Sequence, residues 1–254
     1  MEYNDDPFNS NNNYNTYNSG YGDTDAINPN PFSSVYAAAD ENTILTRVFK
    51  WMALGLGISA ITSLASYLFL GQLMILAYIP LAIVELILVF VFSLKIQTMS
   101  VGASKACFIA YSVINGLTLS AIFFRYEVSS IFSTFFITAF VFGAAALYGR
   151  VTKKNLASMG TYLFMGLIGI IVAGIVNIFI QNSMLDFIVT IVGLIIFIGL
   201  TAYDVNKIRN YSQEIGLSSN EQVSKVVIFG ALTLYLDFIN LFLKLLSLFG
   251  KKRD

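Results

Sequence analysis

Four carboxylates lie in, or at the ends of, long apolar runs of this sequence: Glu85, Asp186, Asp204 and Asp237. A charged side chain inside a bilayer costs on the order of 3 kcal/mol on insertion scales, so such residues are kept where they face a partner, an ion or a proton path. Asp186 begins an apolar run, where the helix dipole favours an acid, and we interpret it as a helix-start residue. The other three could take part in ion or proton chemistry.

Asp204 and Asp237 are positioned to form a pair. Asp204 lies near the end of the sixth apolar run and Asp237 near the middle of the seventh. If these runs pack as antiparallel helices, the two carboxylates come close, and their repulsion makes them a coupled pair that can titrate near neutral pH. The chain has no His, the side chain that ordinarily titrates there. We predict that these two aspartates sense pH and gate a pathway.

Glu85 lies about half-way along the second apolar run. Its position makes it the best candidate for an ion or proton site at mid-membrane, and a carboxylate offers the oxygen ligands that calcium prefers. A buried, hydrogen-bonded structural carboxyl is the alternative interpretation. Lys95, ten residues later, is expected to extend to the lipid headgroups rather than to pair with an acid.

The composition that surrounds these acids is that of a membrane protein. Of 254 residues, 56% are hydrophobic and 12% are charged, and the mean hydropathy is +0.71. Soluble domains are roughly half apolar and a quarter charged. The apolar runs are about 20 residues long, as a membrane-crossing helix requires. We predict an all-α integral membrane protein with spans at 46–70, 73–95, 104–124, 128–149, 156–180, 185–207 and 225–249, and a longest loop at about 208–224.

Residues 1–40 differ from the rest of the chain. They are acidic, rich in Asn and Ser and without an apolar period, so we predict a disordered tail before a membrane domain of residues 41–254. No signal peptide is recognisable, and the first span should act as an uncleaved insertion signal. The single Cys107 and the absence of His exclude an intramolecular disulfide, a Cys-rich metal site and a Ser-His triad. An enzyme, a bound cofactor and a nucleic-acid partner are therefore not expected.

The distribution of basic residues predicts a cytoplasmic N-terminus, because cytoplasmic loops retain Lys and Arg. With that orientation, only Arg125 falls in an outer loop before the last span. The inner segments hold Arg47, Lys50, Lys95, Lys105, Arg150, Lys153, Lys154, Lys207, Arg209 and Lys225. The exception is the basic end 251–253, which seven complete crossings would place outside. A re-entrant or partly inserted last segment would keep it inside.

The last apolar run is the least lipid-like of the seven. It contains Asp237, Asn240 and Lys244, spaced at i, i+3 and i+7, which places all three on one helical face. That face should point into the bundle or into a watery cavity.

Four segments together resemble one family. Residues 231–250, ALTLYLDFINLFLKLLSLFG, resemble the C-terminal signature of the Bax inhibitor-1 family, also called the transmembrane BAX inhibitor motif family. GLTAYDVNKI at 199–208, VELILVFVFS at 84–93 and LTRVFKWMALGLGISA at 45–60 are similar to further segments of that family. The resemblance covers about residues 40–250. It implies six helices around a central hydrophobic seventh, and a pH-sensitive calcium leak across the membrane.

The resemblance also implies roles for particular residues. Asp204 and Asp237 match the paired aspartates that hold the family's pore closed, and Glu85 matches its membrane-embedded glutamate. These three would be the oxygen ligands met by the transported Ca²⁺. The supporting polar residues would be Asn240, Tyr203 and Lys95. A basic residue that bonds an aspartate in some relatives would fall on Ile96 here, with Lys95 one position early.

Two functions follow from these observations. The first is a pH-sensitive calcium leak channel in the plasma membrane of a bacterium, with the lipid bilayer and Ca²⁺ as its partners. The alternative is a non-conducting membrane regulator that binds a membrane protease or a stress-response protein, in which the aspartates are structural. An intramembrane aspartyl protease is disfavoured because Asp237 follows Leu-Tyr-Leu rather than the Gly-x-Gly such enzymes carry.

Overall fold

The computed structural model describes residues 41–71, 73–215 and 219–253, which form eight helices. The helices are α1 (Glu41–Leu70), α2 (Leu73–Lys95), α3 (Val101–Leu119), α4 (Ile122–Arg125), α5 (Val128–Val151), α6 (Ala157–Ile180), α7 (Ser183–Ile215) and α8 (Asn220–Phe249). The helix α4 is a single turn, and the other seven are long and apolar enough to cross a membrane. The predicted all-α membrane fold is therefore confirmed. The predicted disordered tail lies outside the described residues.

The long loop predicted at 208–224 is wrong over most of its length. Helix α7 continues to Ile215, and α8 begins at Asn220. Past the predicted span 185–207, α7 still buries Ile208 and Ser212, so packing maintains the helix after its hydropathy has fallen. At the start of α8, Ser219 accepts a hydrogen bond from the backbone N–H of Gln222 at 3.4 Å and caps the helix. Charged residues there mark the departure from lipid and not the end of the helix.

The seven long helices alternate in direction, and contacts at both ends of α8 show that it crosses completely. We call the side on which α1 begins the near side and the other the far side. On the near side, Lys225 Nζ donates to Gln97 O at 3.2 Å. On the far side, Glu127 N donates to Lys251 O at 3.0 Å, and Arg253 N donates to Arg125 O at 2.9 Å. The expectation of a re-entrant or partly inserted last segment is therefore wrong, because the far-side loop supplies partners for the basic end.

Helix α8 is the central helix of the bundle. It packs against α1, α3, α5 and α7, while α2 lies outside on α3 and α6 lies outside on α7. The side chains of Leu234, Tyr235 and Leu241 on α8 are completely buried. The hydrophobic central seventh span that the family resemblance implied is confirmed.

Small residues bring the helices around α8 close together. A Cβ atom added to Gly116 on α3 would lie 2.7 Å from Ser59 O on α1. Gly149 on α5 meets the backbone of Ala202 on α7 in the same way. Association in a bilayer depends on such close packing, since lipid is as apolar as the helices. The short separations also let polar side chains of neighbouring helices bond to each other.

Candidate functional site

The carboxyl groups of Asp204 and Asp237 are hydrogen-bonded to each other. Helices α7 and α8 are antiparallel neighbours, which is the packing that the sequence required for this pair. A carboxylate can only accept a hydrogen bond, so a bond between two carboxyl groups requires a proton on one of them. Asp237 is buried, and its Oδ2 atom has no hydrogen-bond partner among the described residues. The structure thus contains a carboxyl pair that is only partly satisfied.

The pair lies in a crevice of about 1380 Å³ between α6, α7 and α8. Asp237, Asn240 and Lys244 all line this crevice, as their spacing on one helical face predicted. Most of the remaining lining is apolar, from residues such as Phe164 on α6 and Phe229 on α8. The acid pair therefore faces an open volume at membrane depth and is not enclosed by packed side chains.

Tyr203 and Lys207 flank Asp204 on α7. Lys207 interacts electrostatically with Asp204 and lies 5.7 Å from the centroid of the Tyr203 ring. That ring packs directly on Gly160 of α6, where any side chain would collide with it. The sequence analysis did not assign Lys207 to the site. Its spacing of three residues from Asp204 on one helix was the signal that could have done so.

Lys95, which was predicted to support the site, and Asp186, which was predicted to start a helix, both lie apart from the pair. Lys95 is exposed at the end of α2, whereas Ile96 lines the crevice at the position where the family resemblance expects a basic residue. Asp186 is exposed in the first turn of α7, and it interacts electrostatically with Lys244. Among the described residues, Lys207 is the basic residue that interacts with Asp204.

Glu85 belongs to a second polar cluster, on the other face of α8. Its carboxyl group interacts with the side chains of Asn115 and Thr118 on α3. Tyr235 on α8 donates a hydrogen bond to Asn115 Oδ1 at 2.7 Å, and its hydroxyl also lies 2.7 Å from Ser59 Oγ on α1. We call Ser59, Glu85, Asn115 and Tyr235 the sealed cluster. It joins α1, α2, α3 and α8.

Aromatic rings surround Tyr235 of the sealed cluster. Phe108 and Tyr111 both meet the Tyr235 ring edge-on, with centroids 5.9 Å away. Trp51 meets Phe108 in the same manner at 6.1 Å. Tyr235 was not among the predicted site residues, because nothing in its local sequence indicates partners that are 120 and 176 residues away.

The two clusters do not form one metal site. Among the described residues, no group of three or more carboxylate, Cys or His side chains comes close enough together to hold an ion. Glu85 is separated from Asp204 and Asp237 by the body of α8.

A family model described as inhibitor of apoptosis-promoting Bax1 matches residues 41–254. The chain belongs to this Bax inhibitor-1 family. It is 42% identical over 233 residues to inner membrane protein YbhL of Escherichia coli strain K12, covering 89% of this chain and 98% of that protein. It is also 39% identical over 222 residues to a protein of Borreliella burgdorferi, covering 84% of this chain and 94% of the relative.

The segments that resembled the Bax inhibitor-1 family contribute residues to both clusters. Residues 199–208 lie in α7 and contain Tyr203 and Asp204, and residues 231–250 lie mainly in α8 and contain both Tyr235 and Asp237. Residues 84–93 of α2 contain Glu85. The family signature in α8 thus supplies one residue to each of two different polar clusters.

Proposed function

We propose that this member of the Bax inhibitor-1 family is a pH-sensitive calcium leak channel of a bacterial inner membrane, gated by Asp204 and Asp237. The main support is the direct hydrogen bond between these two carboxyl groups, one on each of two helices that cross the membrane. With the near side in the cytoplasm, most basic loops are also cytoplasmic, as the positive-inside rule requires.

The gate works through one proton. While the pair holds that proton, its hydrogen bond ties α7 to α8. When the proton leaves, two negative charges face each other, and unit charges about 4 Å apart repel by about 4 kcal/mol even at an effective dielectric of about 20. A bistable helix pair can convert a repulsion of that size into separation. Lys207, beside Asp204, draws that aspartate toward the near side once the bond has broken.

Glu85 is the ion-binding residue of the proposed pathway. Its Oε1 atom is buried and has no hydrogen-bond partner among the described residues, so it is free to meet a cation. Carboxylate oxygens are the hard ligands that Ca²⁺ prefers. A single carboxylate binds more weakly than a full coordination shell, and weak binding suits conduction because the ion must also leave.

A liposome assay tests the proposal. The purified chain is reconstituted in vesicles that contain a calcium-sensitive dye, and Ca²⁺ influx is measured from about pH 5 to about pH 8. We expect influx above that of empty vesicles, rising as the pair loses its proton. The variant Asp204→Asn with Asp237→Asn keeps polar groups at both positions but cannot ionise, and its influx should not depend on pH.

Asp186→Asn is the matched control, because it removes a carboxyl group from the same helix α7 outside the acid pair. Its pH profile should equal that of the wild type. Influx equal to that of empty vesicles at every pH would rule out the leak function. An unchanged pH profile in the double Asn variant would rule out gating by the pair.

A further inference from the structure

The crevice between α6, α7 and α8 extends along much of the height of the bundle. Lys225, near the start of α8, and Asn240, in its last third, both line it. They lie about 22 Å apart along the helix axis, at about 1.5 Å per residue. One leaflet contributes about half of the roughly 30 Å hydrocarbon thickness of a bilayer. The crevice is therefore long enough to hold a whole acyl chain.

The crevice opens sideways to the surrounding lipid. Phe164 on α6 is 59% exposed, Phe229 on α8 is 38% exposed, and both line the crevice. Further along α6, Ile171 is also exposed and lines it. All three residues lie in helices that are long and apolar enough to cross the membrane. An apolar opening at this depth is in contact with acyl chains and not with water.

The near-side end of the crevice has a different character, because it is polar and basic. Lys207 is exposed there and lies over the Tyr203 ring, 5.7 Å from its centroid. The polar and basic residues that line this end are Gln97, Lys207, Tyr211, Gln222 and Lys225. With the near side in the cytoplasm, this is the end at which basic pockets between membrane helices bind anionic lipid headgroups.

Lys225 is fixed at this end and keeps a donor for a ligand. Its side chain is only 17% exposed, because Nζ pairs with Glu221 Oε1 at 3.1 Å and donates to Gln97 O at 3.2 Å. An ammonium group has three N–H donors, so one remains. Three lysines and two carboxyl groups line the crevice, so the lining is positively charged overall even when both carboxyl groups are ionised. The ligand that complements this charge is an anion.

We propose that the crevice binds one anionic phospholipid of the near-side leaflet, with its phosphate recognised by Lys207 and Lys225 and an acyl chain along Phe164 and Phe229. The basic end and the apolar length belong to one continuous crevice, as a molecule with a charged head and an apolar chain requires. This lipid site does not depend on the proposed calcium leak, since neither an ion pathway nor a change of protonation enters it.

A tryptophan placed in the crevice of the full chain tests the site. Trp51→Phe removes the single native tryptophan, and Phe164→Trp then reports on the crevice. Phe90→Trp is the matched control, because Phe90 is 61% exposed at a similar distance from the near side, on α2, and does not line the crevice. Each protein is reconstituted in phosphatidylcholine vesicles that contain a small fraction of brominated lipid, which quenches tryptophan on contact. The brominated lipid is either phosphatidylglycerol, which is anionic, or phosphatidylcholine.

The quenching curves give the relative affinity of the two brominated lipids at each position. With Phe164→Trp, phosphatidylglycerol should bind at least about fivefold more tightly than phosphatidylcholine, because its charge complements the basic end. With Phe90→Trp, the two affinities should agree within about twofold, as expected for unselective lipid contact.

The lysines are tested in the Phe164→Trp protein. Lys207→Gln together with Lys225→Gln should reduce the preference to within about twofold, whereas Arg at both positions keeps the charge and should keep the preference. Lys153→Gln together with Lys154→Gln removes two exposed charges from the same side of the membrane, outside the crevice, and should leave the preference unchanged.

Three results would overturn the proposal. The first is equal affinity for the two lipids at position 164, which would mean that bulk lipid fills the crevice without headgroup recognition. The second is a preference that survives the loss of both Lys207 and Lys225. The third is normal quenching at position 90 with none at position 164, because a second copy of the chain or its residues 1–40 would then occupy the crevice.

Discussion

The two faces of α8 hold their polar groups in opposite ways. On one face, the hydroxyl of Tyr235 and the amide of Asn115 are bonded at 2.7 Å and enclosed by aromatic rings. On the other, Asp237 borders an open crevice with one oxygen unpaired among the described residues. Two carboxyl groups face each other across this crevice, so it is the face on which the loss of a single proton changes the energy balance most. The bonded and packed side chains of the sealed face stay in place during that change.

The largest expected effect comes from two glycines that represent the two faces. A Cβ on Gly116 would collide with the α1 backbone, whereas a Cβ on Gly174, which lines the crevice, meets no atom within 4 Å. Gly116→Val should lower the free energy of unfolding by about 3 kcal/mol, because overpacking forces the backbones apart. Gly174→Val should change it by less than about 0.5 kcal/mol.

Detergent-induced unfolding in mixed micelles measures both variants. Gly169→Val is the matched control for Gly174, since its Cβ also meets open space but it does not line the crevice. Equal losses for Gly116→Val and Gly174→Val would show that the crevice is closed, and that the two faces of α8 do not differ in packing.

The second effect concerns the acid pair itself. Asp204→Ala leaves the buried Asp237 without its partner, so we expect the free energy of unfolding to fall by about 2 kcal/mol. Removing both acids also removes the unpaired carboxyl group of Asp237. The double Ala variant should therefore lose less unfolding free energy than the two single variants lose in sum. A double-mutant cycle on unfolding free energies measures the coupling energy, which should be on the order of 1–3 kcal/mol. Simple additivity would mean that the two carboxyl groups are independent.

The sequence predicts the crevice face better than the sealed face. Asp237, Asn240 and Lys244 repeat at helical spacing in an apolar run, and a charge in lipid is conspicuous wherever the helix lies. Asp204 could be paired with Asp237 because consecutive membrane spans run in opposite directions and can pack as antiparallel neighbours. Both inferences need only local periodicity and chain connectivity.

The sealed cluster could not be predicted in this way. Ser59 and Tyr235 are common residues in membrane helices, and their contact depends on how closely α1, α3 and α8 approach. That approach is set by Gly116, whose role is visible only when the facing backbone is known. The last turns of α7 and the first turn of α8 were missed for a related reason, since hydropathy reports lipid contact and not the extent of a helix.

The third effect compares two serines of α1. Ser59 is bonded within the sealed cluster, whereas the buried Ser63 Oγ has no hydrogen-bond partner among the described residues. Ser59→Ala should cost about 1 kcal/mol, because the Tyr235 hydroxyl and the carbonyl oxygen of Ser112 then each lose a hydrogen-bond partner. Ser63→Ala should be neutral or slightly stabilising, since it removes a hydroxyl that is buried without a bond. The same unfolding assay measures both, and a Ser63→Ala loss as large as that of Ser59→Ala would show that Ser63 too belongs to a bonded cluster.

The smallest effect concerns the far-side end of α8, which is attached to the helices of the sealed face. Lys251 pairs with Glu127 at 2.6 Å, and Arg253 donates to the Tyr67 hydroxyl of α1 at 2.8 Å, a bond that raises the pKa of that guanidinium. The Lys251 side chain is 73% exposed, so Lys251→Gln should cost only a few tenths of a kcal/mol. Because salt screens exposed pairs, the difference should vanish when unfolding is repeated at about 1 M salt. If the loss of unfolding free energy persists at high salt, the backbone hydrogen bond between Glu127 and Lys251 depends on the ion pair. The far-side end of α8 would then help to hold this helix against the sealed face.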